Sequence, residues 1–159
     1  MDGSTYQFII LEKLGHTLAH YLNERDQPFS LKTVCQIGIN LIDAFELLHS
    51  FGQVHNDLKL ENILVGDQHS THQSLKEIRL IDFGLSTSFV DENGYHIKKQ
   101  ESYTRGNYAF ASKNTVIGIS PSRRDDLLSL VYLLFYLYTG TLDCIGIDCT
   151  ENDLDKLVF

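Results

Sequence analysis

The run from Leu127 to Tyr138 constrains the fold more than any other stretch: twelve residues, apolar or aromatic throughout except for Ser129. A bilayer-crossing helix needs about 20 such residues, so this run reads as a buried helix over Asp125 to Tyr138. Apolar nearly all round, it needs cover on several sides. The chain has 159 residues to supply that cover, which at about 100–200 residues per domain makes one domain. With 43% hydrophobic and 21% charged residues it lies near the globular average, excluding disordered, collagen-like and low-complexity chains. The net charge of −8, from 21 acidic and 13 basic residues, fits poorly with a nucleic-acid or anionic-membrane partner, so neither is expected. Cys35, Cys144 and Cys149 are odd in number and form no Cys-x-x-Cys pair. They read as reduced thiols of a cytoplasmic or nuclear protein. The opening Met1-Asp2-Gly3-Ser4-Thr5 lacks the basic start of a signal peptide, and Asp2 stands where N-myristoylation needs glycine.

Ahead of the apolar helix the period changes along the chain. Tyr6 to Leu11 predicts a strand, Glu12 to Gly15 a turn, and Thr17 to Asn23 a short helix. Asp26-Gln27-Pro28 interrupts the chain, and Ser30 stands as the N-cap of a helix whose apolar residues recur at Val34, Ile37, Leu41, Phe45 and Leu48. Gly52 suits its C-terminal cap. Ile63 to Val65 and Ile78 to Ile81 predict a β-hairpin across the polar stretch Gly66 to Glu77. Val90 to Arg105 is polar and irregular, and Cys144 to Phe159 is acidic and unassigned. No internal repeat or linker-like shift divides the chain.

Two clusters carry chemistry. His55-Asn56-Asp57-Leu58-Lys59-Leu60-Glu61-Asn62 lies between the amphipathic helix and the hairpin, and Leu80-Ile81-Asp82-Phe83-Gly84 closes the hairpin. An Asp, a Lys two residues on and an Asn five residues on share one loop, and Asp82 returns to the same mouth one hairpin later. Phosphoryl transfer from a nucleotide asks for these types. A carboxylate must orient the attacking hydroxyl, a cation must neutralise the migrating group, and oxygen ligands must hold magnesium against the phosphates.

Together these clusters resemble the catalytic loop and the magnesium-binding Asp-Phe-Gly of protein kinases, in the Asp-x-Lys-x-x-Asn form of serine/threonine kinases. Ser122-Arg123-Arg124-Asp125-Asp126-Leu127, Ala111-Ser112-Lys113-Asn114 and Ile9-Ile10-Leu11-Glu12-Lys13-Leu14-Gly15 are similar to casein kinase I and its relatives, a group that includes the vaccinia-related kinases. The likeness runs over 6–142, leaving 143–159 unassigned. It implies an α+β fold, a protein-kinase-like C-lobe that is mainly α-helical with short β-hairpins, with the N-lobe absent. It implies ATP and Mg2+ as cofactors and protein Ser/Thr substrates as partners. It assigns Asp57 to orient the hydroxyl and Lys59 to steady the γ-phosphate. Asn62 and Asp82 would hold magnesium. The carbonyl of Glu12 and the N–H of Leu14 would bind adenine, with Leu11 as gatekeeper and Leu64 beneath the ring. His55 and Phe83 would stack in the regulatory spine, Gly84 would give structural support, and Asp126 would anchor the catalytic loop from below.

Departures from the family pattern set further expectations. Asn56 replaces the usual Arg, which argues against a phosphorylated loop as the switch. Leu60 replaces a Pro. Asn107 stands where a Thr would bridge the catalytic Asp and Lys, and Ala109 where a basic residue follows it. No two glycines are separated by a single residue, so no Gly-x-Gly-x-x-Gly loop occurs, and no Val-Ala-Ile-Lys strand occurs either. The expectation is therefore a partial kinase domain with little activity alone and a core helix short of cover, prone to poor solubility or needing a partner. The alternatives are a non-catalytic pseudokinase fragment that binds another protein and, more distantly, a metal-dependent hydrolase built on Asp57 and Asp82. His16 with His20, His69 with His72, and Lys98 with Lys99 read as solvated surface residues.

Overall fold

The computed structural model describes residues 8–10, 12–67, 77–98, 101 and 106–142. Its centre is a pair of long helices. Ser30 caps the first by accepting the Thr33 N–H at 3.2 Å, as its place before the periodic run predicts. Helix α2 (Leu31–Ser50) then buries Val34, Ile37, Leu41 and Phe45, the expected face. It is preceded by the short α1 (Leu18–Asn23), capped by Thr17, whose hydroxyl accepts the His20 N–H at 3.1 Å. Gly52, at φ 73°, follows the last turn of α2 in the left-handed conformation expected of it.

The apolar helix α4 (Arg123–Thr139) starts ahead of Asp125 because the Asp125 carboxylate takes the Ser122 N–H at 2.8 Å and its Oγ at 3.2 Å, closing the first turn. It packs Leu130, Leu133 and Leu137 against α2. Gly38 lets the helices approach closely, since a Cβ there would lie 3.0 Å from Leu134 Cδ1. Each such side chain contributes roughly 1.5–3 kcal/mol when fully buried. The cover is one-sided: Leu127, Val131 and Tyr138 are 43%, 58% and 50% exposed. A helix apolar nearly all round thus finds partners among the described residues for only part of its circumference. No helix among the described residues is long and apolar enough to cross a membrane.

A three-stranded antiparallel sheet of order β1-β3-β4 sits beside the helices, built from β1 (Leu14–Thr17), β3 (Ile63–Asp67) and β4 (Ile78–Leu80). The register pairs Ile63 with Leu80 and Val65 with Ile78, confirming the hairpin, while its connecting residues 68–76 lie outside those described. Strand β1 corrects the turn expected over Glu12 to Gly15. A Cβ at Gly15 would overlap the Val65 carbonyl, so this glycine serves a close strand approach rather than a reversal. The strand expected over Tyr6 to Leu11 is not formed at Phe8, Ile9 and Ile10, which are exposed and pair with no described strand. The rest of that segment lies outside the described residues. A second small sheet pairs β2 (Gln53–Val54) with β5 (Thr87–Ser88), and α3 (Lys113–Val116) precedes α4.

Candidate active site

The loop 55–62 is held at both ends by backbone pairing. Strand β2 enters it, and a 3-10 turn (Leu60–Asn62) leads out of it into β3. Its middle is held from below by Asp126, which is 2% exposed. One carboxylate oxygen of Asp126 accepts the His55 N–H at 2.9 Å and the other the Asn56 N–H at 3.1 Å. His49 Nε2, in the last turn of α2, stands 2.8 Å from the first oxygen. A buried carboxylate is tolerated when its lone pairs are satisfied in this way. Asp126 thus contacts the loop backbone at His55 and Asn56, the place at which the resemblance implies an anchor. His49 was missed from the sequence: it lies on the polar end of α2, four residues after Phe45, with no motif to mark it.

Asp57 is buried, and its carboxylate gathers the other residues of the loop. Lys59 Nζ lies 3.0 Å from Oδ2. Asn62 Nδ2 donates to the Asp57 carbonyl at 2.8 Å and to Oδ2 at 3.1 Å. The Asn107 N–H donates to Oδ1 at 2.8 Å. The Asp57 N–H points at His55 Nδ1, 3.2 Å away, which makes Nδ1 the acceptor and leaves Nε2–H to donate to the Ile81 carbonyl at 3.0 Å. The His55 and Phe83 rings meet edge to face at 5.2 Å. Asp57, Lys59 and Asn62 thus form one cluster, and His55 links it to the segment that carries Asp82.

Asp82 leaves β4 in the left-handed conformation, φ 62°, and its Oδ1 accepts the Gly84 N–H at 3.3 Å. The Asn62 carbonyl accepts the Ile81 N–H at 3.0 Å, so Asp82 emerges next to Asn62. With Nδ2 committed to Asp57, Oδ1 is the atom of Asn62 that could serve a metal. Asp82 is exposed, and hard oxygen donors of this kind could hold magnesium, which keeps several waters and takes phosphate oxygens for the rest of its shell. The Asp57 carboxylate, by contrast, is engaged by Lys59, Asn62 and Asn107. Leu14 and Leu64 lie half-buried on neighbouring strands of one sheet, and Glu12 is exposed just before β1. Leu11 lies outside the described residues.

Two departures from the family pattern acquire a structure. Asn107 does not bridge with its side chain. Its main-chain N–H holds Asp57, while its Oδ1 accepts the Ala109 N–H at 2.7 Å. Gly106, at φ 90°, makes this approach possible, because a Cβ there would overlap the Asn56 carbonyl and lie 3.3 Å from Asp57 Oδ1. Asn56 itself sits at φ 69°, and its Nδ2 donates to the Leu85 carbonyl at 2.8 Å and to Thr87 Oγ1 at 2.9 Å. Neither contact was legible from the loop's spacing, since both bring in residues about thirty to fifty positions away. Below them, Ser112 Oγ at 2.6 Å and Asn114 Nδ2 at 3.2 Å donate to Asp125 Oδ1, tying the segment before α3 to the start of α4.

Comparison with known sequences bears on this geometry. A family model described as the protein kinase domain matches residues 1–156. A probable casein kinase I homolog of Encephalitozoon cuniculi is 34% identical over 146 residues, a match that covers 89% of this chain and 44% of that protein. The chain spans less than half the length of this curated relative.

Proposed function

The chain belongs to the protein kinase family, and from that premise we propose that it transfers the γ-phosphoryl group of ATP to Ser or Thr hydroxyls of proteins in the manner of casein kinase I. The observation that carries the reading is the buried Asp57 carboxylate, held by Asn62, by the Asn107 N–H and by the Lys59 ammonium 3.0 Å away. Asp57 orients the acceptor hydroxyl and accepts its proton. Lys59, partly exposed beside it, meets the negative charge of the migrating group. Asp82 and Asn62 are the residues that hold magnesium, which when bound neutralises charge on the nucleotide phosphates. Glu12 and Leu14 bind adenine through their backbone, over Leu64. Phosphoryl transfer relies mainly on positioning and electrostatics. These 159 residues contain no Gly-x-Gly-x-x-Gly and no Val-Ala-Ile-Lys, so on their own they turn over slowly.

Thermal unfolding with millimolar ATP and magnesium tests the reading, because a ligand that binds only the folded state raises the melting temperature by mass action. The expected result is a rise that requires both ATP and magnesium and loses its magnesium dependence in Asp82→Asn. A melting temperature indifferent to ATP would favour the second reading, a non-catalytic protein-binding module, to which the exposed Leu127, Val131 and Tyr138 face of α4 lends support.

A further inference from the structure

We infer that Asn56 is a positioning residue that fastens the segment following Asp82-Phe83-Gly84 to the catalytic loop without any phosphate group. The inference rests on the kinase reading of the site and concerns how that site is kept in register.

Neighbouring residues of the loop grip the segment at successive points. His55 holds Ile81 through Nε2 and meets the ring of Phe83. Asn56 then holds Leu85 and Thr87 through the two hydrogens of a single Nδ2, at 2.8 Å and 2.9 Å. The N–H groups of both residues are fixed by the two oxygens of Asp126. The chain of contacts therefore runs from α4, through the loop, to both sides of Asp82. The orientation of the amide is set, because the Leu85 carbonyl accepts only from a donor. Asn56 Oδ1 is consequently left buried without a partner among the described residues. Asparagine also tolerates φ 69° better than most residues. The Asn56 amide needs only a carbonyl and a hydroxyl of the chain itself.

The test uses the full chain treated with phosphatase, ADP as the nucleotide, and the variants Asn56→Gly and Thr87→Val. Glycine suits the left-handed backbone, so Asn56→Gly removes the amide without straining the loop. Hydrogen exchange of residues 85–88 is compared with that of α2, and the melting temperature is read with ADP alone and with ADP plus magnesium. The expected result is exchange about tenfold faster at 85–88 in Asn56→Gly, unchanged exchange in α2, and loss of most of the magnesium-dependent gain with the gain from ADP alone retained. Thr87→Val gives a smaller change of the same kind, and the double variant is no worse than Asn56→Gly. A simple loss of stability would lower the melting temperature with and without ligand and leave both gains nearly unchanged, because each gain is set by affinity. Exchange at 85–88 that matches the unaltered chain in both variants overturns the inference. If the unaltered chain shows no gain with magnesium, the kinase reading falls instead, and the exchange comparison alone decides the role of Asn56.

Discussion

Asp126 shows how one side chain can set a site it does not enter. Its two oxygens serve two consecutive backbone N–H groups and a histidine from another helix. Replacing it with Ala leaves those donors buried and unanswered, and breaking a buried interaction of this kind costs about 3–5 kcal/mol. Urea unfolding of Asp126→Ala should show a loss of that order, whereas a loss within the range of surface substitutions would remove Asp126 from the role assigned to it. Gly106→Ala tests the other side of Asp57. It places a Cβ into the Asn56 carbonyl at a backbone angle that favours glycine. We expect a loss of about 1–3 kcal/mol, with faster exchange of the Asn107 amide that binds Asp57. At this scale the sequence was informative where a residue's chemistry and spacing belong to one loop: Asp57, Lys59 and Asn62 meet as their positions imply. It was silent on His49 and on the Asn107 main-chain N–H that holds Asp57. Those contacts depend on where a distant backbone arrives, which no local spacing encodes.

Among the elements, α2 was legible from capping residue to C-terminal glycine because periodicity, Ser30 and Gly52 all agree. Strand β1 was not, since Gly15 carries the same letter whether it opens a turn or admits a neighbouring strand. The start of α4 depends on a network the apolar pattern does not reveal. Asp125 receives Ser122, Ser112 and Asn114 and is 3% exposed. Asp125→Ala should therefore fray the first turn of α4 and free the segment before α3 together, with a loss of about 2–4 kcal/mol and joint loss of exchange protection at 112–116 and 123–127. Frayed helix with a protected 112–116 would show that the two are not coupled through Asp125.

For the molecule as a whole, the apolar character of Leu127 to Tyr138 did predict a central helix, and α4 occupies that place. The composition could not say which side of the helix would be packed. The exposed side carries Leu127, Leu128, Val131 and Tyr138, a stripe of the kind that marks contact surfaces. The chain should therefore self-associate as its concentration rises. Val131→Glu should suppress that association in sedimentation runs while leaving the melting temperature of the dilute chain nearly unchanged. A chain that stays monomeric throughout the concentration series would contradict this view of α4. Manganese can report directly on the place where loop 55–62 meets Asp82. In paramagnetic resonance titrations, Mn2+ with ADP should bind the chain, bind far more weakly to Asp82→Asn, and bind normally to Asp57→Asn, because the proposed function gives Asp57 to the acceptor hydroxyl and Asp82 to the metal. Undiminished Mn2+ binding by Asp82→Asn, or none by the unaltered chain in the presence of ADP, would contradict the account.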